Sequence, residues 1–411
     1  MVFDILSTRG FIKQTTDEDS IRSALSERSL TCYIGFDPTA DSLHVGSLIP
    51  IMSLVHLQNA GHRPIVVVGG GTALIGDPSG KTEMRKMLTR ETIAENMAKI
   101  QQQIARYISF DDDRALMLNN AGWLADLDYI DFLRDIGRHF RVNEMIKAEG
   151  YRQRLEREVG LSFVEFNYQL LQAYDFLVLN RKYQCELQLG GDDQWGNILA
   201  GVDLTRRVAR HTVFGLTFPL ITTASGAKMG KTAQGAVWLN ANRTLPYDFY
   251  QYWRNTEDAD VGRFLKYFTL LPLEEIEALE KLEGQAINEA KEVLAFEATR
   301  LCHGTRAAEE ARQAARALFG GNKDQIASAP TAPLPMAELQ AGIPIVELLA
   351  KTALVTSKSD AMRQIRQGAV SINGKKIPST DVVVTEAFVR DGRVLVRKGK
   401  KSYFILSMVE F

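Results

Sequence analysis

The sequence predicts a doubly wound α/β body built on a parallel sheet, then a helical subdomain, then a small α+β tail, and three observations carry this expectation. Residues 64–70, PIVVVGG, form an apolar run without alternation, the pattern of a strand covered on both faces. From 246 to 319 strand signals are largely absent, and 273–318 is rich in Glu, Ala, Leu and Lys at helical spacing. Pro330, Pro333, Pro335 and Pro344 crowd into 320–344, and beyond them the charge balance changes sign.

In chain order, 31–36 is a short β-prone run, 43–60 has helical periodicity, and the Val/Ile run completes a βαβ unit. A right-handed crossover is expected there, which places a ligand at the carboxyl ends of the strands. Residues 126–145 set Tyr129, Phe132, Leu133, Ile136, Phe140 and Met145 at mostly three- and four-residue spacing, an amphipathic helical region. Its apolar stripe, with Phe132, Leu133, Ile136 and Phe140, predicts either a subunit contact or a buried internal helix. Residues 186–190, followed by GDDQWGN, are a further strand running into a loop, in which Trp195 is expected in the core. The expected divisions are 1–225 for the sheet domain with its inserted helical region, 226–320 for a lysine-bearing loop and the helical subdomain, 321–342 for a linker, and 343–411 for the tail.

The 411 residues, 45% of them apolar, suffice for two or three domains with their own cores. The net charge of −1 gives no bulk field to recruit a polyanion, yet 343–411 holds 12 Lys/Arg against 6 Asp/Glu, a basic tail on an acidic body. The apolar stretch at 65–75 is far short of the roughly 20 residues that cross a membrane. The first ten residues lack the basic-then-apolar order of a secretory signal. Cys32, Cys185 and Cys302 are odd in number and far apart, so neither a disulfide framework nor a zinc site is indicated. A soluble, cytoplasmic protein is expected.

Two loops carry the composition of phosphate contacts. YIGFDPTADSLHVGS, at 33–47, offers small residues leading into a helix, where backbone N–H groups and the helix dipole favour an anion, with His44 beside them. ASGAKMGKT, at 224–232, sets Lys228 and Lys231 three apart among small residues. Taken singly, His44 reads as a helix cap and the lysine pair as a solvated turn; together they are far more specific. GDPSGKT, at 76–82, has three residues between its glycines where a phosphate-binding P-loop needs four, and that reading is rejected, with Lys81 and Arg85 kept as phosphate contacts. Tyr168, Gln172 and Asp175 are spaced i, i+4, i+7, one face of a helix.

The pair His44-Val45-Gly46-Ser47 and Lys228-Met229-Gly230-Lys231-Thr232 resembles the HIGH-type and KMSKS-type signatures of class I aminoacyl-tRNA synthetases. The texts YIGFDPTADSLHVGS, GDPSGKTEMR, NYQLLQAYDF and GGDDQWGN are similar to the bacterial tyrosine-specific branch of that family, over nearly the whole length. Ser47 stands where the first signature ends in His, and Gly230 where the second has Ser.

The resemblance implies a Rossmann-like catalytic domain that activates L-tyrosine with ATP to tyrosyl-adenylate and pyrophosphate, then passes tyrosine to the 3′ terminal adenosine of tRNA(Tyr). No covalent enzyme intermediate is needed, so catalysis is positioning plus charge stabilisation. It implies His44, Lys228, Lys231, Lys81 and Arg85 as catalytic phosphate contacts. Gly35, Asp37, Thr39, His44, Gly46, Ser47, Gly191, Asp193, Lys228 and Lys231 would surround ATP. Tyr33 and Asp175 would face the phenol, with Asp77, Tyr168 and Gln172 around the amine and Gln194 beside the tyrosine. Mg²⁺ would arrive with ATP, coordinated largely by phosphates, with no dedicated protein site. The region 126–145 resembles the family's subunit interface and implies a homodimer. The segment SKSDAMRQIRQGAVSINGKKI, with Arg363 and Arg366 on a helix and Lys375 and Lys376 in a turn, looks like a small RNA-binding domain of ribosomal type. Three rivals are a tryptophan-specific member of the class, a non-catalytic RNA-binding protein on the same body, and a nucleotidyltransferase. Tyr33 with Asp175, the persistence of His44, Lys228 and Lys231, and the tail argue against them in turn.

Overall fold

The structure, a computed structural model, describes residues 1–77, 89–156, 161–224, 226, 229–232, 235–319, 330–389, 393–399 and 402–409. The chain divides into two compact units, Met1–Ala308 and Glu309–Phe411.

In the first unit, after an N-terminal helix α1 (Val2–Thr8), six strands form one sheet: β1 (Gln14–Thr15), β2 (Thr31–Phe36), β3 (Arg63–Val68), β4 (Leu116–Asn119), β5 (Cys185–Gly191) and β6 (Phe214–Phe218). Their spatial order is β1-β6-β5-β2-β3-β4, parallel throughout except for the antiparallel edge strand β1. The Val/Ile run is β3, in which every residue after Arg63 is buried. The chain therefore builds outward from β2 to β4 on one side, returns, and builds β5 and β6 on the other. That reversal makes the gap between β2 and β5 the topological switch point. Residue pairing between these two strands ends at Tyr33 with Gln188, whereas β2 and β3 stay paired to Phe36 and Val68.

Helix α2 (Leu48–Asn59), the βαβ crossover, is buried on nearly every face. Helix α3 (Phe163–Tyr183) starts at the S-x-x-E sequence 162–165, where Ser162 Oγ accepts from Glu165 N at 3.2 Å and Glu165 Oε2 accepts from Ser162 N at 3.1 Å. It packs along helix α4 (Trp195–Ala209). The expected amphipathic region at 126–145 is three short pieces, Tyr129–Asp135, Gly137–His139 and Val142–Met145, broken by an extended Phe140. Phe132 and Ile136 are buried inside the unit against Leu170, Ala173 and Leu177 of α3, with Phe140 partly buried beside them, so these members of the stripe cover an internal core. Leu133 of the same stripe is exposed instead, as are Tyr129, Ile130, Val142, Ile146, Phe163 and Val164.

The helical subdomain includes α5 (Pro246–Arg254), α6 (Val261–Phe268) and α7 (Ile287–His303). Its centre is Trp253, fully buried, with Phe249, Phe264 and Phe268 at ring separations of 6.0, 6.1 and 4.9 Å.

The second unit has a five-stranded sheet in the order Lys375–Lys376, Val370–Ile372, Arg393–Lys398, Ser402–Val409, Thr331–Pro335, the last strand added in parallel. Its own core includes Leu339, Leu348, Ile365, Val394 and Leu406. The stretch expected as linker, 321–342, thus contributes strand Thr331–Pro335 and helix Met336–Ala341 to this unit. Prolines that signalled a linker are here tolerated because the strand lies at a sheet edge. Residues 320–329 lie outside the described residues. No helix among the described residues is long and apolar enough to cross a membrane.

One buried charge joins the parts of the first unit. Arg9, only 5% exposed, donates from Nη1 to the carbonyls of Lys266 and Thr269, both at 3.0 Å, and from Nη2 to that of Leu271. These acceptors lie at and beyond the carboxyl end of α6, the negative pole of its dipole. Arg9→Met should leave them without their donors and lower unfolding free energy by about 2–4 kcal/mol; urea unfolding followed by circular dichroism measures it, and an unchanged midpoint would contradict the role.

Candidate active site

At the switch point lies a cavity of about 460 Å³, walled by the carboxyl ends of β2, β3 and β5 and the loops that follow them. Tyr33, Gly35, Asp37, Thr39, His44, Gly46 and Ser47 line it from the first strand and its loop. Asp77 lines it from beyond β3, Tyr168, Gln172 and Asp175 from α3, Gly191 from the last position of β5, and Asp193 and Gln194 from the loop that follows. Lys81, Arg85 and Lys228 lie outside the described residues, as does the side chain of Lys231.

His44 caps the short turn Val45–Ser47, its Nδ1 accepting from Gly46 N at 3.0 Å. An Nδ1 that accepts leaves the proton of a neutral imidazole on Nε2, so this ring is set as an Nε2–H donor. Gly46 and Gly230 are where the two signature loops meet. Gly230 has φ +80°, and a Cβ there would lie 2.8 Å from Val45 Cγ2 and 3.3 Å from Gly46 N. A Cβ on Gly46 would lie 2.6 Å from its own loop's His44 ring and 3.5 Å from Met229 O. Gly230 thus has a steric reason, as only glycine takes that conformation and that approach without strain. Tyr252 of α5 accepts from Gly230 N at 3.3 Å, and Val237 N donates to Gly230 O at 3.0 Å, fastening the loop on both sides.

At the far end, Asp175 is buried and accepts from Trp123 Nε1 at 2.7 Å and Asn120 Nδ2 at 3.0 Å. Burial pushes its carboxyl up to about 7, against the pull of those two donors. The Tyr33 hydroxyl is buried with no hydrogen-bond partner among the described residues, and burial together with the Asp175 charge raises it well above its usual range. Gln188, opposite Tyr33 in the sheet, is likewise buried with an unpartnered Oε1 in the cavity wall. A polar chain crosses the floor: Gln194 Nε2 donates to Asp77 Oδ2 at 2.9 Å, while Asn197 Nδ2 reaches Gln194 Oε1 at 3.0 Å and Gln172 Oε1 at 3.2 Å. Asp193 is raised by burial and then by the Asp77 charge. Asp192 accepts from Gln14 at 2.6 Å and from Thr217 at 2.9 Å, which ties the loop after β5 to the sheet edge. Trp195, expected in the core, is half-buried at the start of α4.

Sequence reasoning missed Asn120, Trp123, Gln188 and Asn197. The first two follow β4 directly, so they obey the same carboxyl-end rule; the signal was there, but β4 was not recognised as a strand. In the second unit, Arg363 and Arg366 lie exposed on helix α8 (Lys358–Arg366), Arg363 paired with Asp360 at 2.6 Å. Lys375 and Lys376, expected in a turn, form an exposed edge strand just after the turn at Asn373 and Gly374, both of positive φ.

Asp175 makes stability depend on pH in a definite direction. The folded chain keeps a proton that the unfolded chain, with an ordinary value of 3.8, has already released. Its contribution is therefore complete below about pH 4 and is lost as pH rises to about 7. Relative to Asp175→Asn, wild type should lose on the order of 1 kcal/mol per pH unit across that window; urea midpoints at pH 4.5 to 7.5 check this, and parallel curves would contradict it.

The family described as tRNA synthetases class I (W and Y) matches residues 25–320, and the one described as Tyrosine--tRNA ligase SYY-like C-terminal domain matches residues 325–406. The chain is 55% identical over 422 residues to "Tyrosine--tRNA ligase" of Desulfosudis oleivorans and 53% identical over 402 residues to that of Clostridium botulinum, each alignment covering 98% of both chains. Among solved structures, a C-terminally truncated mitochondrial tyrosyl-tRNA synthetase of Aspergillus nidulans superposes with a TM-score of 0.70 at 31% identity, covering 77% of this chain and 94% of that one. With a parallel-sheet crevice, two signature loops in contact and these relatives along its whole length, the chain belongs to the class I aminoacyl-tRNA synthetases, in the tyrosine–tRNA ligase family.

Proposed function

We propose that the cavity binds L-tyrosine and ATP side by side and carries out tyrosine–tRNA ligation, with the residues of the two loops and of α3 in the following roles. The observation that supports this most is the closed end with Asp175 and Tyr33. A substrate phenol can donate its O–H to the Asp175 carboxylate and accept from the Tyr33 hydroxyl, which has no other partner among the described residues. Phenylalanine would leave both buried groups unpaired, and tyrosine-specific synthetases are themselves the reference case of this discrimination. An indole has no group that both donates and accepts there. Tyr168, Gln172 and Asp77 then hold the ammonium group, and Gln194 the space beside the carboxylate.

One carboxylate oxygen of tyrosine attacks the α-phosphorus of ATP, and pyrophosphate leaves with the electron pair of the broken P–O bond. Nothing in this step requires an enzyme nucleophile. His44 donates from Nε2 to the phosphates, and Lys228 and Lys231, with Lys81 and Arg85 in support, neutralise the charge that grows on pyrophosphate. Mg²⁺ would come with ATP, neutralising phosphate charge, with its oxygens mainly from the phosphates. In the second step a ribose hydroxyl of the tRNA 3′ terminal adenosine attacks the tyrosyl carbonyl, and AMP leaves. The exposed cations Arg363, Arg366, Lys375 and Lys376 hold RNA phosphates. Ile130, Val142, Phe163 and Val164, large apolar side chains left exposed, form the contact of a homodimer. The enzyme works in the cytoplasm.

Pyrophosphate exchange run with each of the twenty amino acids should respond to tyrosine alone; exchange with tryptophan would overturn the substrate. Lys231→Ala should slow single-turnover adenylate formation by about 10²-fold or more with tyrosine affinity little changed. A chain ending at Phe319, ahead of the tail's first strand, should keep exchange but fail to charge tRNA. The log–log salt slope of its RNA binding should flatten by roughly 0.7–0.9 for each phosphate the tail neutralises; unchanged charging would refute the tail's role. Sedimentation should show a dimer that Phe163→Glu dissociates at micromolar concentration, and a wild-type monomer near 46 kDa would refute the assembly.

A further inference from the structure

We propose that Trp238, braced by Arg243 and Asp41, is a positioning residue that holds the His44 ring at the angle needed to meet the nucleotide phosphates. The inference rests on the reading of His44 as a phosphate donor and adds Trp238, Arg243 and Asp41, none of which was given a role above. His44 and Trp238 form an isolated antiparallel bridge. It is flanked by Val45 N to Val237 O at 3.0 Å and Leu239 N to Leu43 O at 2.9 Å. Residues 43–45 and 237–239 are therefore a miniature ladder, and directly opposed residues place their side chains on one face. Here those side chains are two rings meeting edge to face, centroids 6.1 Å apart at 71°.

The indole is itself gripped. The Arg243 guanidinium lies over it, 4.2 Å from the ring centroid, and Arg243 Nε pairs with Asp41 Oδ1 at 3.2 Å. Asp41 also faces Lys99 at 3.8 Å, and it stands three residues before His44 on the same loop. The contacts thus close a ring: His44 to Trp238, Trp238 to Arg243, Arg243 to Asp41, and Asp41 along the chain to His44. Thr244 Oγ1 accepts from Trp238 N at 2.9 Å, and Asn240 N donates to Ser42 Oγ at 3.2 Å, so the strut is fixed at both strands.

The second side-chain torsion of histidine has a broad minimum, so contacts set the angle of the ring. The Nδ1 bond to Gly46 N acts on one edge of the imidazole, and the indole edge acts on it from the opposing strand. Trp238 also lines the cavity, so the restraint acts at the wall where phosphate arrives. Val237, its neighbour, bonds to Gly230 O, which places the strut on the chain that leaves the lysine loop.

The test uses full-length variants, with single-turnover adenylate formation and tyrosine affinity measured separately. Trp238→Ala should slow adenylate formation about tenfold while tyrosine affinity stays within about twofold, and Trp238→Phe should recover most of the rate. Arg243→Gln, a change at a partly exposed side chain, should slow it about threefold by taking the cation off the indole face. The decisive readout is the cycle with His44→Ala: in that background Trp238→Ala should change the rate by less than about twofold. If Trp238→Ala does not fold, Arg243→Gln completes the same cycle. Additive effects would overturn the inference, since Trp238 would then act independently of His44. Wild-type rates for Trp238→Ala and Arg243→Gln beside a slow His44→Ala would overturn it while leaving the active-site reading intact. A His44→Ala enzyme of wild-type rate would overturn both.

Discussion

The parting of β2 from β5 is the constraint on which the cavity depends. Two parallel strands that stay paired to their ends leave no room between them, and β2 with β3 is such a pair. Because the chain reverses its direction of building at β2, nothing holds β5 to it beyond Tyr33 and Gln188, and the loops after both strands turn away from each other. Every group at the site is placed relative to that gap. Tyr33 and Gln188 close its bottom, the histidine loop rises on one side, and Gly191 to Gln194 rise on the other. Asp192 secures this second side to β1 and β6, which gives the two-residue edge strand a function out of proportion to its length.

The site also separates two kinds of electrostatics. At the closed end, burial raises the Asp175 carboxyl to about 7, beside the unpartnered Tyr33 hydroxyl and Gln188 Oε1. At the open end, the helix start after His44 and the contact of Gly46 with Gly230 bring backbone and cationic loops together, where choice matters less than charge. A low-dielectric pocket for recognition and an open mouth for phosphate chemistry suit one polar and one highly charged substrate held together.

What the sequence made legible was what repeats locally. The run PIVVVGG announced β3, and the i, i+4, i+7 spacing of Tyr168, Gln172 and Asp175 put three cavity residues on one helix, because a helix converts spacing into direction. What stayed hidden depends on elements far apart in the chain. Asn120 and Trp123 meet Asp175 across 55 and 52 residues, through a strand order that no local pattern encodes. The stripe at Phe132 and Ile136 was correctly apolar, but periodicity says only that a face must be covered, and α3 covers it. Arg9 was invisible for another reason: its partners are main-chain carbonyls, which every residue offers. Proline at 333 and 335 spoke of a chain that cannot donate hydrogen bonds, which fits a linker and a sheet edge equally.

Those prolines have a further consequence. The tail sheet has two borders, and each is unsuited to accept another strand: Thr331–Pro335 lacks donors at two of its five positions, and Lys375–Lys376 meets any newcomer with two positive charges. Exposed sheet borders are where chains adhere to their copies, and proline and lysine are the residues that discourage it. The same two lysines that are proposed to hold RNA phosphates therefore also stand where self-association would begin. Neutralising them takes the charge off that border, so a basic edge here serves solubility whatever else it binds.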